Sequence, residues 1–487
     1  MQDLEGKVIE TVDGTKFVLT DIAGEGAQGV VYNEASDKFL IKLYKKSNPI
    51  QEQNRFSKLS WLIQQDYPDQ FIRPLKLVRE PFIGYVMEKV KDHTSLNKML
   101  VPSRDVSFSE WYNKETGGLR RRLYLGYKIA LQFALLHDSN RAYCDISGGN
   151  VLVNEDPSIA SVCMIDIDNI YIPGGNAGNV LGTSRYMAPE IMNKSMSPDI
   201  FTDDYSLAVI LFELLRVGHP YVGDMVDDGT PDQQTQAYLG LYPYVDDQET
   251  DINRSSQMLP KNAVFTKHLE ELFAKTFITG KENRVERTSA RDFAVAFLEA
   301  SNRVMKCPKC GCWHIAKVNV NKGRQYICPW CDDINEKPLF LQFKDRYVIT
   351  SKDNKEKWVE EDKLVNSFVL RDEMNEVTSN YISNFYIKRN KYAKPIEKYF
   401  EIRKAKDGKF YVLNPANNEL YMKKAKKKDF IAVTKQDKPI AVEKGDIFFF
   451  EDVRKMEKGS IKDIWVSEKD SVSIRENALL FRYAKVI

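Results

Sequence analysis

The chain has 487 residues, with 71 Lys+Arg against 69 Asp+Glu for a net charge of +2, and seven cysteines. That length holds two to four domains and a core that needs no disulfide staple, and the near-zero charge excludes a wholly basic nucleic-acid binder and an acidic disordered chain. The 43% hydrophobic and 11% aromatic content indicates globular folding throughout, and no apolar run approaches the roughly 20 residues that span a bilayer.

The acidic start Met1-Gln2-Asp3-Leu4-Glu5 has no apolar stretch behind it and carries no secretory signal pattern. A cytoplasmic location with reduced thiols is expected. Texture divides the chain into residues 1–300, 305–335 and 338–487. The charge divides too: from Asp332 onward there are 33 Lys+Arg against 27 Asp+Glu, or +6, leaving −4 for the rest.

Phe17-Val18-Leu19 predicts a strand, followed by Gly24-Glu25-Gly26-Ala27-Gln28-Gly29. Glycines at this spacing let backbone N–H groups approach phosphates, although a tight hairpin would use them equally. Val30, Val31 and Tyr32 predict a second strand, where a dinucleotide fold would need a helix. Phe39-Leu40-Ile41-Lys42 is an apolar strand closed by a lysine. Lys42 is either a snorkelling edge residue or a phosphate holder. The second role needs an anion, and Glu52 on the next predicted helix is the nearest.

The richest stretch is Tyr143-Cys144-Asp145-Ile146-Ser147-Gly148-Gly149-Asn150, running into the apolar strand Val151-Leu152-Val153. A second apolar strand, Met164-Ile165-Asp166-Ile167-Asp168, ends in carboxylates. Phosphoryl transfer needs a carboxylate near the acceptor hydroxyl and hard oxygen ligands for Mg²⁺. Asp145 suits the first role; Asn150 and Asp166 suit the second.

Here the chain resembles the protein kinase family over roughly 280 residues in the family's motif order. Gly24, Gly26 and Gly29 match its glycine-rich loop, and Val31 the position that packs on adenine. Lys42 matches the strand lysine. Gly84-Tyr85-Val86-Met87-Glu88-Lys89-Val90 resembles the strand and hinge beside ATP, with Met87 as gatekeeper and Glu88 and Val90 at the hinge. His137 ends a long helix. Asp145, Asn150 and Asp166 match the catalytic Asp and the two Mg²⁺ ligands. Gly182-Thr183-Ser184-Arg185-Tyr186-Met187-Ala188-Pro189-Glu190 matches the end of the activation segment. The run Asp204 to Leu215 resembles the helix with a buried Asp, and Arg287 the partner of Glu190.

The resemblance implies an α+β, bilobal kinase fold with an N-lobe at 1–90 and a C-lobe at 91–300. It implies ATP-dependent transfer to Ser/Thr of a protein substrate, with Lys42, Glu52, Asp145, Asn150 and Asp166 as the working groups. The chain departs from the family in four places. Cys144 replaces the arginine before the catalytic Asp, which implies activity without activation-loop phosphorylation, a non-RD kinase. Ser147 replaces the catalytic-loop lysine. Asp166-Ile167-Asp168 lacks the usual glycine, and Asp168 reads as a helix cap or solvent group rather than a metal contact. Glu52 lies only ten residues after Lys42. An ATP-binding scaffold without transfer, a pseudokinase, is the alternative reading. Thr183 is read as a structural hydroxyl bonded to Asp145.

Five of the seven cysteines lie between Cys307 and Cys331. Cys307-Pro308-Lys309-Cys310 and Cys328-Pro329-Trp330-Cys331 are two C-x-x-C knuckles whose four thiolates can close a tetrahedron on a structural Zn²⁺. A zinc ribbon follows, with hairpin strands expected at Val318–Val320 and Gln325–Ile327. Cys312 and His314 are left out of the ligand set. Mixed charges around the knuckles favour a spacer or protein-docking role over nucleic acid.

Residues 338–487 carry short β runs at Tyr347–Ile349, Phe368–Leu370, Phe410–Val412, Phe430–Val433 and Ile447–Phe450. An all-β, sandwich-like domain is expected. It resembles forkhead-associated domains in rhythm but lacks their phosphate-binding residues. The run Lys423 to Lys428 reads as a solvated or edge-protecting stretch, or as a patch for an acidic partner. The domain order resembles the bacterial kinases of phosphatase–kinase–von Willebrand A triads linked to tellurium resistance. That resemblance implies a von Willebrand A domain protein and a phosphatase as partners.

Overall fold

Alternation of side chains builds the first sheet: Phe17 and Leu19 are buried while Val18 between them is exposed. The computed structural model describes residues 4–26, 28–170, 182–350, 358–372, 374–382, 397–425, 427, 430–435, 438–452 and 477–487. The chain separates into two units, one reaching to Leu298 and the other beginning at Glu299.

The first unit opens on a six-stranded antiparallel sheet. Its spatial order is Val8–Glu10, Lys16–Glu25, Gly29–Glu34, Phe39–Tyr44, Gly84–Glu88 and Pro74–Leu77. Phe17, Leu19, Val30, Tyr32, Ile41, Leu43 and Val86 form its core. Gly29 is dictated by packing, since a Cβ there would lie 2.4 Å from the Leu43 carbonyl oxygen. The helix Pro49–Ile63 begins where Asn48 accepts from the Gln51 N–H and Pro49 sets the first turn.

The rest of the unit carries a three-stranded sheet of His93–Ser95, Val151–Asn154 and Val162–Met164, and is otherwise helical around Ile200–Arg216. This helix is buried on nearly every face, as its apolar sequence requires. Asp199 and Thr202 start it with a reciprocal capping box. The helix Gly118–His137 packs against the helix Ala290–Ser301 through Gly126, where a Cβ would lie 2.3 Å from the Phe297 ring. Phe212 meets the rings of Tyr244, Phe265, Phe273 and Phe277. Arg287 donates to both oxygens of Glu190 at 2.7 and 2.9 Å, as the sequence resemblance implies. Arg287→Lys keeps the charge but loses the fork, and is expected to cost about 1–3 kcal/mol in urea unfolding.

In the second unit, Val304–Lys306 pairs with Trp313–Ile315, and Tyr326–Ile327 pairs with Ile334–Asn335. Each C-x-x-C pair therefore sits in the turn of its own hairpin. This corrects the hairpin expected at Val318–Val320 and Gln325–Ile327. There the ladder stops at one bridge, Asn319 to Gln325. The reason is local: the Asn319 side chain accepts from the Lys322 N–H at 3.2 Å, turning residues 320–322 into a 3₁₀ turn.

Two sheets follow. The larger has the order Trp358–Val369, Phe340–Thr350, Asn477–Val486, Ile447–Phe449, Tyr421–Lys423, Phe430–Ala432. The smaller has the order Asn375–Thr378, Lys398–Lys404, Phe410–Leu413, Ile440–Val442. Leu341, Phe343 and Phe368 of the first share one core with Val377, Phe400, Ile402, Val412 and Val442 of the second. Two sheets over one core make a sandwich. In the lysine run, Lys424 is committed internally, donating to Asp446 at 2.6 Å; Lys426 and Lys428 lie outside the described residues. Among the described residues no helix is long and apolar enough to cross a membrane.

Candidate active site

Lys42 and Tyr44 are two residues apart on the strand Phe39–Tyr44, so they share the face opposite Ile41 and Leu43. Lys42 Nζ donates to Asp166 and, at 2.9 Å, to Asp168 Oδ2. The Tyr44 hydroxyl also donates to Asp168. Both carboxylates come from the end of the strand Val162–Met164 and the single 3₁₀ turn Ile167–Asn169. Asp166 adopts a left-handed φ of +62°, the kind of backbone strain that concentrates at functional sites.

Two expectations need correction here. Glu52 is not the anion that holds Lys42. Its carboxylate accepts the Ser47 N–H at 3.0 Å, in the loop its own helix starts from. The cause is the short connection, which places Glu52 in the first turn of Pro49–Ile63, where an acid favours the helix N-terminus. Asp168 is neither a cap nor a solvent group. Its side chain is 6% exposed and ion-paired, while that of Asp166 is 35% exposed.

Burial pushes the Asp168 carboxyl up, but Lys42 and the Tyr44 hydroxyl outweigh it and hold Asp168 ionised. Burial and the neighbouring Asp168 charge push Asp166 up, against Lys42. Burial pulls the Lys42 pKa down, but Asp168 and Asp166 outweigh it and raise it above the ordinary lysine value. One ammonium faces two carboxylates, so a hard cation would complete the charge.

Asp145 is fixed from two sides. Its Oδ1 accepts the Thr183 N–H at 3.0 Å and hydroxyl at 3.1 Å, as the structural reading of Thr183 expects. Its Oδ2 accepts Asn150 Nδ2 at 3.0 Å, which also donates to the Asp145 carbonyl at 2.9 Å. Asn150 thus donates its amide group to Asp145 twice, and its amide oxygen is of the type that can ligate a hard cation. Burial raises the Asp145 carboxyl, partly offset by Thr183 and Asn150, which suits a proton acceptor.

The loop behind Asp145 hangs on Asp203. Asp203 accepts the Tyr143 N–H at 2.6 Å, the Cys144 N–H at 2.9 Å and His137 Nε2 at 3.1 Å. Asp204, the acid at the start of the run that resembles the family's helix, is buried as well. Asp204 instead accepts the Ala290 N–H at 2.9 Å, because one residue is a 100° turn around the helix. Cys144 takes a left-handed φ of +73°, and burial pushes its thiol well above the ordinary range, which disfavours the thiolate.

Over the cleft, the hairpin closes with the Gly26 N–H donating to Gly29 O at 2.9 Å. A Cβ at Gly24 or Gly26 would meet nothing within 4 Å. These two glycines leave open room of the sort a phosphate chain needs. Ala27 lies outside the described residues, as do residues 171–181. Val31 and Val90 are half-buried, Met87 is buried and Glu88 is exposed, with Met87 paired to Leu40 in register.

In the second unit, Cys307, Cys310, Cys328 and Cys331 bring their sulfurs within 4.8 Å of one another. The 307–331 and 310–328 pairs are 3.8 and 3.7 Å apart. A tetrahedron with Zn–S bonds of about 2.3 Å has edges of about 3.8 Å. The Trp330 N–H donates to Cys328 Sγ at 3.4 Å. The cluster can hold a metal ion. Cys312 Sγ turns to the Cys310 carbonyl, and His314 Nδ1 to the Ile315 carbonyl.

Comparison with known proteins supplies the class. The protein kinase domain family matches residues 17–294. The chain belongs to the protein kinase family. It is 23% identical over 352 residues to "Protein kinase YegI" of Escherichia coli O157:H7, covering 68% of this chain and 51% of that protein. It is 28% identical over 222 residues to "Serine/threonine-protein kinase nekl-2" of Caenorhabditis elegans, covering 42% and 58%. It is 25% identical over 231 residues to "Probable serine/threonine-protein kinase CPE1738" of Clostridium perfringens, covering 45% and 31%. The chain spans about half the length of the YegI proteins it matches.

Proposed function

We propose that the chain transfers the γ-phosphoryl group of ATP to a serine or threonine hydroxyl of a protein. The observation that carries this reading is Asp145 held by Asn150 and Thr183 at once. The acceptor oxygen forms a bond to the γ-phosphorus, and the bond from that phosphorus to the β-phosphate oxygen breaks. ADP leaves with the electron pair, and the hydroxyl proton passes to Asp145. Lys42 and the backbone of Gly24, Gly26 and Gly29 bind phosphate oxygens. Val31, Met87, Glu88 and Val90 border the adenine. Asn150 and Asp166 would hold Mg²⁺, which neutralises phosphate charge when bound. Thr183 beside Asp145 supports a Ser/Thr acceptor. Acid hydrolysis of a labelled protein substrate is expected to yield phosphoserine or phosphothreonine; phosphotyrosine alone would refute that assignment.

Cys144 in place of an arginine supports activity without a phosphorylated activation segment. The four-cysteine cluster is read as a structural Zn²⁺ site that supplies folding energy rather than chemistry. Cys328→Ser is expected to lose about one bound zinc per chain and to lower the melting temperature. Metal content by atomic emission checks this; full zinc retention would contradict it. The ribbon and the sandwich are read as the parts that recruit a protein partner. A von Willebrand A domain protein and an opposing phosphatase are proposed from the domain order.

A further inference from the structure

We propose that Asp168, supported by Tyr44, is the residue that positions Lys42 toward nucleotide phosphates, the role the sequence pattern offered to Glu52. The inference rests on the nucleotide-site reading above. Lys42 carries its charge on a flexible four-carbon stem. To act on a phosphate it must be held by an anion that does not leave when the phosphates and a cation arrive.

The two carboxylates at Lys42 differ in this respect. Asp166 is the more exposed of the two and accepts Lys42. Asp168 is enclosed and is bound from two sides, by Lys42 Nζ at 2.9 Å and by the Tyr44 hydroxyl. Its other oxygen, Oδ1, is buried without a hydrogen-bond partner among the described residues. An ion pair in such a dry setting is stronger than one in water, and removing one member leaves the other uncompensated. With Asp166 committed to a divalent cation, Lys42 retains one carboxylate, and that is Asp168.

The helix side supports the same assignment. The helix Pro49–Ile63 packs against the turn Ile167–Asn169. It brings Lys58, a cation rather than an acid, into electrostatic reach of Asp168. The usual order of charges is therefore inverted: the acid sits on the turn after the metal-binding Asp, and the helix contributes a lysine. Two separate departures in the sequence become one device. The missing glycine of Asp166-Ile167-Asp168 supplies the carboxylate that the short connection before Glu52 withholds.

The test compares the full chain with Asp168→Asn, Asp168→Glu, Tyr44→Phe and Glu52→Gln. Two readouts need no turnover. One is the dissociation constant of a fluorescent ATP analogue with Mg²⁺. The other is the rate at which an amine-acylating reagent labels Lys42 in nucleotide-free protein, read by mass spectrometry. Asp168→Asn is expected to weaken analogue binding about tenfold or more, the loss of one hydrogen bond to a charged group, and to speed Lys42 labelling. Asp168→Glu recovers part of both. Tyr44→Phe shifts both in the same direction by less. Glu52→Gln moves them less than Asp168→Asn does.

Wild-type values for Asp168→Asn, or a larger loss in Glu52→Gln, would overturn the proposal. Should Asp168→Asn fail to fold, Tyr44→Phe decides, and no shift in either readout would overturn it. A wild-type chain that binds no analogue refutes the nucleotide reading instead. Lys42 labelling separates the two failures, because it is measured without nucleotide.

Discussion

Asp145→Ala is expected to slow phosphoryl transfer by about 10²–10⁴-fold, the range for losing a positioned proton acceptor. Nucleotide affinity is expected to change far less, because Asp145 sits with Thr183 and Asn150 rather than with Lys42. The split is the informative part. A loss confined to kcat marks a group used in the transition state, whereas a rise in KM alone marks uniform binding. Steady-state kinetics at saturating ATP, with an independent binding titration, separates the two. A variant with unchanged kcat would remove Asp145 from the chemistry.

His137→Ala is expected to destabilise the first unit by about 3–5 kcal/mol, the cost of leaving a buried charge unpaired. His137 Nε2 lies 3.1 Å from Asp203 and Nδ1 3.5 Å from Asp204, both carboxylates being buried. Burial alone would lower the imidazole pKa, but hydrogen bonds to Asp203 and Asp204 raise it from 6.5 to about 10. A histidine pKa raised on folding gives stability that is fully present below pH 6.5 and lost as pH rises through about 10. Urea unfolding of the parent should therefore weaken across that window, and His137→Ala should flatten the decline. Because Asp203 also holds the Tyr143 and Cys144 N–H groups, the variant should lose activity as well. A His137→Ala chain as stable as the parent would refute the charged triad.

Much of the site was legible because its parts are close in sequence. Asp145 and Asn150 are five residues apart on one loop and meet through a local hydrogen bond. Gly29 announces itself because the strand Phe39–Tyr44 leaves no room for a side chain. The four cysteines are legible from spacing, since each knuckle is a single turn. What depends on tertiary approach was not. Asp168 meets Lys42 across 126 residues, and no spacing rule connects them. Tyr44 carried a usable signal, standing two residues from Lys42 on the same strand face. Asp203 and Asp204 are indistinguishable in sequence, and only the helix phase decides which faces the loop. The hairpin strands around the cysteines were misplaced because Asn319 capped its own turn.

Asp145, Asn150, Asp166 and Lys42 are proposed to form a working phosphotransferase rather than a nucleotide-binding scaffold. The decisive experiment incubates the full chain and its Asp166→Ala variant with γ-labelled ATP, Mg²⁺ and a generic protein substrate. Label is expected on the substrate with the parent and none with the variant. Equal labelling by both, or nucleotide binding by the parent with no transfer at all, would contradict this proposal.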